Sequence, residues 1–162
     1  MSAAVTLDAT DWKILRELQR LNTPEEGRLT NVELASRVGL SPPPCLRRVQ
    51  ALEKAGVIQG YRALLDAAAL GFEVTLFAFV GLRSQAEAEL HAFTDRIAHW
   101  PLVREAYAIS GEADFLLKCV ARDLPSLQNF IIRDLTAAPN VENVKTTLML
   151  RVAKYEPGVP IT

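Results

Sequence analysis

The chain has 162 residues, of which 49% are hydrophobic and 23% are charged, and its formal net charge is −1. This composition supplies enough apolar side chains for globular cores and excludes an intrinsically disordered chain. Since no apolar run approaches the roughly 18 residues of a membrane-spanning helix, and no basic segment precedes an apolar run at the start, we expect a soluble cytoplasmic protein with no membrane partner.

Cysteine usage and local charge narrow the possible functions further. Cys45 and Cys119 stand alone and form no CxxC pair, so we interpret both as small buried hydrophobic residues and predict no metal site. The chain as a whole is nearly neutral, so it lacks the overall excess of basic residues that would by itself indicate nucleic-acid binding. Positive charge is instead concentrated between Gly39 and Arg62, where the single acid Glu53 is outnumbered by Arg47, Arg48, Lys54 and Arg62.

The first helix is predicted to begin near Ala9. Asp8 is a suitable N-cap, and Asp11 lies in the first turn, where the helix dipole favours negative charge. Asn22, Thr23 and Pro24 break the helical pattern. The apolar residues at helical spacing, which predict a single buried face, are Ile14, Leu15, Leu18 and Leu21.

Two further helices are predicted to follow, with a tight turn between them. Thr30 and Glu33 form a capping-box pair at the start of the second helix, and Gly39 supplies the left-handed residue that ends it. Ser41 then serves as the N-cap of a third helix, and Pro42 is its first residue.

The third helix, which we expect to end near Ala55, is amphipathic. Two helices joined by a tight glycine turn, the second with basic residues outside, are typical of a helix-turn-helix, whose second helix lies in the DNA major groove. Arginine can pair with phosphate or guanine and glutamine with adenine or phosphate, while the alternative is a charged face that is merely solvated. The predicted inner stripe is Cys45, Val49 and Leu52 with help from Leu46, and the outer side carries Arg47, Arg48, Gln50 and Lys54.

The run from Val57 to Leu65 favours DNA binding over the solvated alternative. Short strands after a third helix make the wing of a winged helix-turn-helix, in which Arg62 would reach backbone phosphate. We therefore predict a winged helix-turn-helix DNA-binding domain over residues 1–65. Residues 66–71 are predicted to form a short connecting turn of helix rather than a flexible linker.

Residues 72–162 are predicted to form a βαββαβ unit, with strands over 72–83, 103–109, 114–122 and 141–152 and helices over about 85–99 and 124–135. This order gives a four-stranded antiparallel sheet with both helices on one face, the ferredoxin-like arrangement of the α+β class. Phe77 or Phe79 and its apolar neighbours cannot all lie under the helices. We therefore expect the sheet of a second copy to cover the open face, giving a homodimer that suits a two-fold operator.

The segment from Thr30 to Tyr61, TNVELASRVGLSPPPCLRRVQALEKAGVIQGY, closely resembles the DNA-binding domain of the Lrp/AsnC family of transcription regulators. SGEADFLL, from Ser110 to Leu117, is similar to the glycine-containing turn of the family's C-terminal (RAM-type) domain. The resemblance implies homodimers that often associate into octamers, double-stranded DNA bound through helix three, and amino-acid effectors held between C-terminal domains.

By position, the resemblance also implies functional residues. Ser41, Pro43, Arg47 and Arg48 would lie in or near the DNA interface, and the effector would contact the loop of Ser110, Gly111, Glu112, Ala113 and Asp114, with Thr136 and Thr147 as weaker candidates. Three features depart from the family pattern: a longer first interhelical loop over 22–29, Pro43 in place of a hydroxyl residue, and Glu112-Ala113 in place of a pair such as Asp-Phe.

The turn at Gly111 is chemically suited to an amino acid. Exposed backbone N–H groups can hold a carboxylate, and Glu112 or Asp114 can hold an ammonium group. The alternative is a hairpin turn that Asp114 merely caps.

Two other classes of protein compete with a regulator. Some haem-pathway decarboxylases resemble this two-domain fold, but His91 and His99 have no acid or cysteine partner at ligand spacing, so we expect no enzyme, no catalytic residue and no cofactor. A DNA-architectural protein with a decayed sensing pocket is the second alternative, and titration with amino acids separates the two.

Overall fold

The computed structural model describes residues 6–20 and 29–161. These residues form two compact units, one comprising the chain up to Ala63 together with Tyr155 onward, and the other comprising Leu64–Lys154. The predicted second domain extends to residue 162, whereas the final residues belong to the first unit. Leu21 and the predicted helix stop at 22–24 lie outside the described residues.

The described part of the first unit contains three helices with the predicted caps: α1 (Ala9–Gln19), α2 (Asn31–Val38) and α3 (Pro42–Lys54). Thr30 and Glu33 form the predicted capping box of α2. Gly39 ends α2 with φ 76°, a left-handed conformation that costs glycine little. Ser41 occupies the N-cap position of α3, although its side chain makes no capping hydrogen bond.

The three helices enclose a small apolar core. Leu46 is 44% exposed, so its predicted part in the inner stripe of α3 is wrong; it lies beside the stripe and faces outward. The buried residues are Ile14, Leu34, Ala35, Val38, Cys45, Val49 and Leu52.

The segment after α3 contains no β-strand between residues 57 and 65, so the short strands predicted for the wing do not form within the single chain. Val57 and Ile58 instead donate backbone hydrogen bonds to the carbonyl of Leu52, which satisfies the end of α3. A strand needs a hydrogen-bonded neighbour, and this segment pairs with none of the described strands.

The C-terminal tail, residues 155–161, is fastened to α1. The backbone N–H of Val159 donates to Gln19 Oε1 (3.0 Å), and Gln19 Nε2 donates to the Val159 carbonyl (2.5 Å). Gly158 (φ 122°) allows this approach, because a Cβ there would lie 2.5 Å from Gln19 Oε1. Val159 and Ile161 also line a shallow, mainly apolar cavity of about 340 Å³ whose lining includes Leu7, Trp12, Leu15, Leu18 and residues 57–61.

The second unit has the predicted βαββαβ order. Its four strands form one antiparallel sheet in the order β2-β3-β1-β4, so the predicted ferredoxin-like arrangement is confirmed. The elements are β1 (Val74–Leu82), α4 (Glu87–Ala98), β2 (Val103–Ala108), β3 (Phe115–Ala121), α5 (Leu124–Phe130) continued by a π-helical turn (Ile131–Leu135), and β4 (Val141–Leu148). The last strand therefore ends at Leu148 and not at Val152.

The two faces of the sheet differ, as strand alternation predicts. On one face, alternate residues of β1 and β3 such as Ala78 and Leu117 are fully buried against α4 and α5. The opposite face, called the open face below, presents Phe77 and Phe79 from β1 with their β3 partners Lys118 and Leu116. Phe79 is 36% exposed, so the open face carries aromatic surface that is uncovered in a single chain.

Candidate nucleic-acid and effector sites

The outward face of α3 carries four side chains that we call the outer stripe: Pro43, Arg47, Gln50 and Lys54. They are separated by four, three and four residues, which places them on one face of a helix that turns about 100° per residue. All four are exposed, and they lie opposite the buried Cys45, Val49 and Leu52.

The outer stripe has the donors needed to contact DNA. Arginine can hold guanine or phosphate with two hydrogen bonds, glutamine can hydrogen-bond adenine, and lysine neutralises phosphate. Arg47 forms no salt bridge with any residue that the structure describes, so its guanidinium is available to a ligand. Ser41 and Arg62 are also exposed, at the start of α3 and in the segment that follows it.

Arg48 is oriented differently from the other basic residues: it is half-exposed and turned toward α1. Its Nη1 atom lies 2.8 Å from Asp8 Oδ2 and 2.8 Å from Asp11 Oδ1, both at the start of α1. Hydrogen bonds from the Asp11 backbone and from Arg48 lower the pKa of Asp8, and the two carboxylates raise the pKa of Arg48. The position one residue after Arg47 points about 100° away from the outer stripe, toward α1.

The turn between β2 and β3 holds the predicted effector loop. Ile109 N–H donates to the Asp114 carbonyl (2.9 Å) and Asp114 N–H donates to the Val80 carbonyl (2.9 Å). Asp114 Oδ2 accepts a 2.7 Å hydrogen bond from the Leu82 backbone N–H. The Asp114 side chain therefore ties the loop to β1, while Ser110, Gly111 and Glu112 are exposed and Ala113 is half-buried.

A pair of opposite charges stands beside this loop. Glu112 Oε2 lies 3.5 Å from Lys145 Nζ, with side-chain exposures of 94% and 73%. Lys145 is the β4 partner of Phe79, and Thr147 is the partner of Phe77, so both project on the open face. Lys145 is absent from the sequence predictions, although the two-residue alternation from Thr147 could have identified it.

Thr136 does not share a site with Thr147 within one chain. It follows the π-helical turn and donates its backbone N–H to the Ile131 carbonyl (2.8 Å), which places it in the helix layer. Thr147 lies on the opposite side of the sheet. The two threonines could meet a common ligand only across two copies of the chain.

No helix in the described ranges has the length and apolarity to cross a membrane. A three-helix unit with a basic outer helix, followed in the chain by an α+β unit with a charged loop, is the arrangement expected of DNA-binding transcriptional regulators with a ligand-binding domain.

Comparison with known proteins agrees with this class. Residues 7–59 match the family model of a winged helix-turn-helix DNA-binding domain, and residues 75–159 match that of the Lrp/AsnC ligand binding domain. The chain therefore belongs to the Lrp/AsnC family of transcriptional regulators.

Similar proteins span its whole length. A leucine-responsive regulatory protein of Rhizobium meliloti is 59% identical over 95% of this chain and 96% of its own, and the transcriptional regulator AzlB of Bacillus subtilis is 37% identical over 97% of each. Among solved structures, the regulator NMB0573 of Neisseria meningitidis in complex with L-Met matches with a TM-score of 0.86 at 37% identity, over 96% of this chain and 97% of that one. An AsnC family regulator from Agrobacterium tumefaciens matches with a TM-score of 0.84 at 34% identity, over 95% and 97%.

Proposed function

We propose that this regulator binds operator DNA as a homodimer through the outer stripe of α3, and that an amino acid bound beside Gly111 changes how its copies assemble. It is expected to act in the cytoplasm, without catalytic residues, cofactor or metal. The observation that supports DNA recognition most directly is the exposed, regularly spaced stripe on the face of α3 opposite its buried residues.

Replacing Arg47 tests the DNA interface. Arg47→Ala should weaken binding to a selected operator fragment by about 1 to 3 kcal/mol if Arg47 contacts a base. A phosphate contact would instead lower the slope of log affinity against log salt by about one. Arg104→Ala, which removes an exposed arginine from β2, is the matched control. Unchanged affinity and slope for Arg47→Ala, measured by fluorescence anisotropy, would contradict the proposal.

The open face supports dimerisation. Burying a charge in an apolar interface is unfavourable, so Phe79→Asp should give monomers in sedimentation velocity. Val32→Asp introduces the same charge at another exposed apolar position, which is 64% exposed on α2, and should keep the wild-type assembly. The same runs distinguish a dimer from an octamer of four dimers. A Phe79→Asp variant that stays dimeric would exclude the open face as the interface.

The charge pair beside the loop supports an amino-acid effector. An α-amino acid carries a carboxylate and an ammonium group, which Lys145 and Glu112 can bind by exchanging their mutual ion pair for the ligand. Because an exposed ion pair contributes little free energy, this exchange costs little. Backbone N–H groups near Gly111 can add hydrogen bonds to the carboxylate. The structurally similar Neisseria regulator was solved with L-Met, which supports an amino acid as the ligand class.

Calorimetric titration with the twenty amino acids tests the sensor. Glu112→Gln and Lys145→Met should each weaken the binding amino acid by roughly tenfold, the effect of losing one charge-assisted hydrogen bond. Glu142→Gln, at another exposed acid of β4, should leave the affinity unchanged. If no amino acid binds while DNA still does, the protein is an architectural DNA-binding protein instead.

The position of Lys145 on the open face would couple amino-acid binding to subunit assembly. Lys145 is paired with Phe79 on the open face, so a ligand held by Lys145 would lie beside the proposed subunit interface. A ligand shifts the assembly only if its affinity differs between the two assembled forms. A single unchanged sedimentation profile with and without every binding amino acid would refute this mechanism.

A further inference from the structure

We propose that Arg48 is a positioning residue for DNA recognition: it fastens α3 to the start of α1 and does not itself contact DNA. This inference rests on the proposal that the outer stripe faces DNA. It assigns Arg48 a different role from Arg47, although the two residues are adjacent in the sequence and equally basic.

The geometry separates the two arginines. Arg47 is exposed on the outer stripe, whereas Arg48 lies about 100° further around α3 and its side chain is 37% exposed. One nitrogen of Arg48, Nη1, contacts a carboxylate oxygen of Asp8 and another of Asp11, each at 2.8 Å. Asp11 is the more enclosed acid, with a side-chain exposure of 15%.

The two aspartates divide their oxygens between two tasks. Asp8 Oδ1 accepts from the backbone N–H groups of Thr10 (2.8 Å) and Asp11 (2.9 Å), and Asp11 Oδ2 accepts from the Asp8 N–H (3.1 Å). The remaining oxygen of each aspartate binds Arg48. The capping box of α1 and the attachment of α3 are therefore one closed network.

This network adds a directional restraint to the packing of the apolar core. The core contacts of Ile14, Cys45 and Val49 stabilise the unit in proportion to the apolar area that they bury. Such contacts have little directional preference. Charge-assisted hydrogen bonds are directional, so the Arg48 network restricts the rotation of α3 relative to α1. The direction of the outer stripe depends on that rotation.

Arg48 also neutralises the two carboxylates at the start of α1. Without the guanidinium, the negative charges of Asp8 and Asp11 would repel each other and weaken this attachment. The backbone hydrogen bond from Asp11 and then the hydrogen bond from Arg48 lower the pKa of Asp8, so its carboxylate stays charged within this network.

The direction in which one substitution changes operator affinity tests the inference. Asp8→Asn removes a negative charge but keeps an N-cap residue of similar quality, so α1 should still begin normally. If Arg48 contacted phosphate, releasing it from Asp8 would raise DNA affinity. Since we assign Arg48 to positioning, we expect Asp8→Asn to lower operator affinity by roughly two- to fivefold, the range measured for exposed ion pairs. Equal or higher affinity would overturn the proposal.

Salt dependence supplies a second readout, which loss of stability alone would not change. Arg48→Met keeps much of the apolar stem and should weaken operator binding by roughly fivefold with an unchanged salt slope. Arg47→Met should lower the slope by about one if Arg47 contacts phosphate. A slope that falls by about one for Arg48→Met would overturn the positioning role, whereas an unchanged affinity together with an unchanged slope for Arg47→Met would overturn the outer-stripe proposal.

A double-mutant cycle and a charge control complete the experiment. The double variant Asp8→Asn with Arg48→Met should lose less operator-binding free energy than the sum of the two single variants, because both substitutions disrupt the same network. Additive losses would overturn the proposal. Glu17→Gln removes a negative charge from α1 that contacts Arg37 and not Arg48, and it should give equal or higher DNA affinity. Circular dichroism and thermal melting establish whether each variant is folded. If Arg48→Met is unfolded, the direction in which Asp8→Asn changes operator affinity still decides between the two roles.

Discussion

The attachment of the C-terminal tail to α1 gives a quantitative prediction at Gly158. Gly158→Ala would place a Cβ 2.5 Å from Gln19 Oε1 and 2.6 Å from Gln19 Cδ, at φ 122°. Contacts this short force the Gln19 amide to move, which breaks its two hydrogen bonds to Val159 at about 1 kcal/mol each. Keeping the left-handed backbone with an alanine would cost a further 1 to 3 kcal/mol or so. The tail should therefore detach, for a loss of about 2 kcal/mol.

The measurement combines urea unfolding of the full chain with limited proteolysis of the tail. Trp12 lines the cavity that Val159 and Ile161 share, so its fluorescence should change when the tail detaches. Gly111→Ala has a similar φ of 127° with open space around the new Cβ, and it should leave the tail protected.

The double variant Gly158→Ala with Gln19→Ala should lose less free energy of unfolding than the sum of the two single variants, because removing the glutamine side chain relieves the clash. Wild-type stability and an equally protected tail in Gly158→Ala would refute the assignment.

Three further outcomes are expected. Hydrogen bonding lowers the pKa of Asp8 from its ordinary value of 3.8, so its stabilisation is fully present above about pH 4 and is lost as the pH falls through the lowered value; urea midpoints of Asp8→Asn should depend less on pH between about 2 and 5. Burial raises the pKa of Cys45, and that of Cys119 to about 11, so neither thiol should react with a disulfide reagent at about pH 8 until denaturant is added, and rapid reaction of the native chain would contradict their burial. Leu117 is fully buried under the helices, so Leu117→Ala should cost about 2 to 5 kcal/mol in urea unfolding, and a loss below about 1 kcal/mol would exclude its place in the core.

Local signals in the sequence predicted most of the fold. The capping box at Thr30 and Glu33 and the left-handed end of α2 at Gly39 depend only on residues close in the chain, which is why they could be predicted without tertiary information. Two-residue alternation likewise predicted that Phe77 or Phe79 and its apolar neighbours could not all lie under the helices, because successive side chains of a strand point to opposite faces.

Features that depend on distant partners were harder to predict. Arg48 is next to Arg47 in the sequence, and only the packing of α1 against α3 brings Asp8 and Asp11 to its guanidinium. The spacing of the outer stripe already excluded Arg48 from that face, so part of the signal was present. The predicted wing strands between 57 and 65 do not form within the single chain because β-branched residues favour a strand only when a neighbouring strand can bond to it.

The candidate effector site was predicted in part. The loop around Gly111 could be proposed from its residue types, but whether Asp114 binds a ligand or the Leu82 backbone depends on how closely β1 and the loop approach. Lys145 is 33 positions after Glu112, and only the sheet brings the two charges together.

The DNA-binding unit contains residues from both ends of the chain, which affects the design of truncated or chimeric versions of this regulator. The polypeptide passes from the first unit to the second after Ala63 and returns after Lys154. A fragment that stops at Ala63 lacks the segment that Gln19 grips and leaves the apolar surface around Trp12 bare. Chimeras that exchange sensor domains should therefore keep residues 155–161 of the host, which supply Gly158 and the Val159 backbone that Gln19 binds.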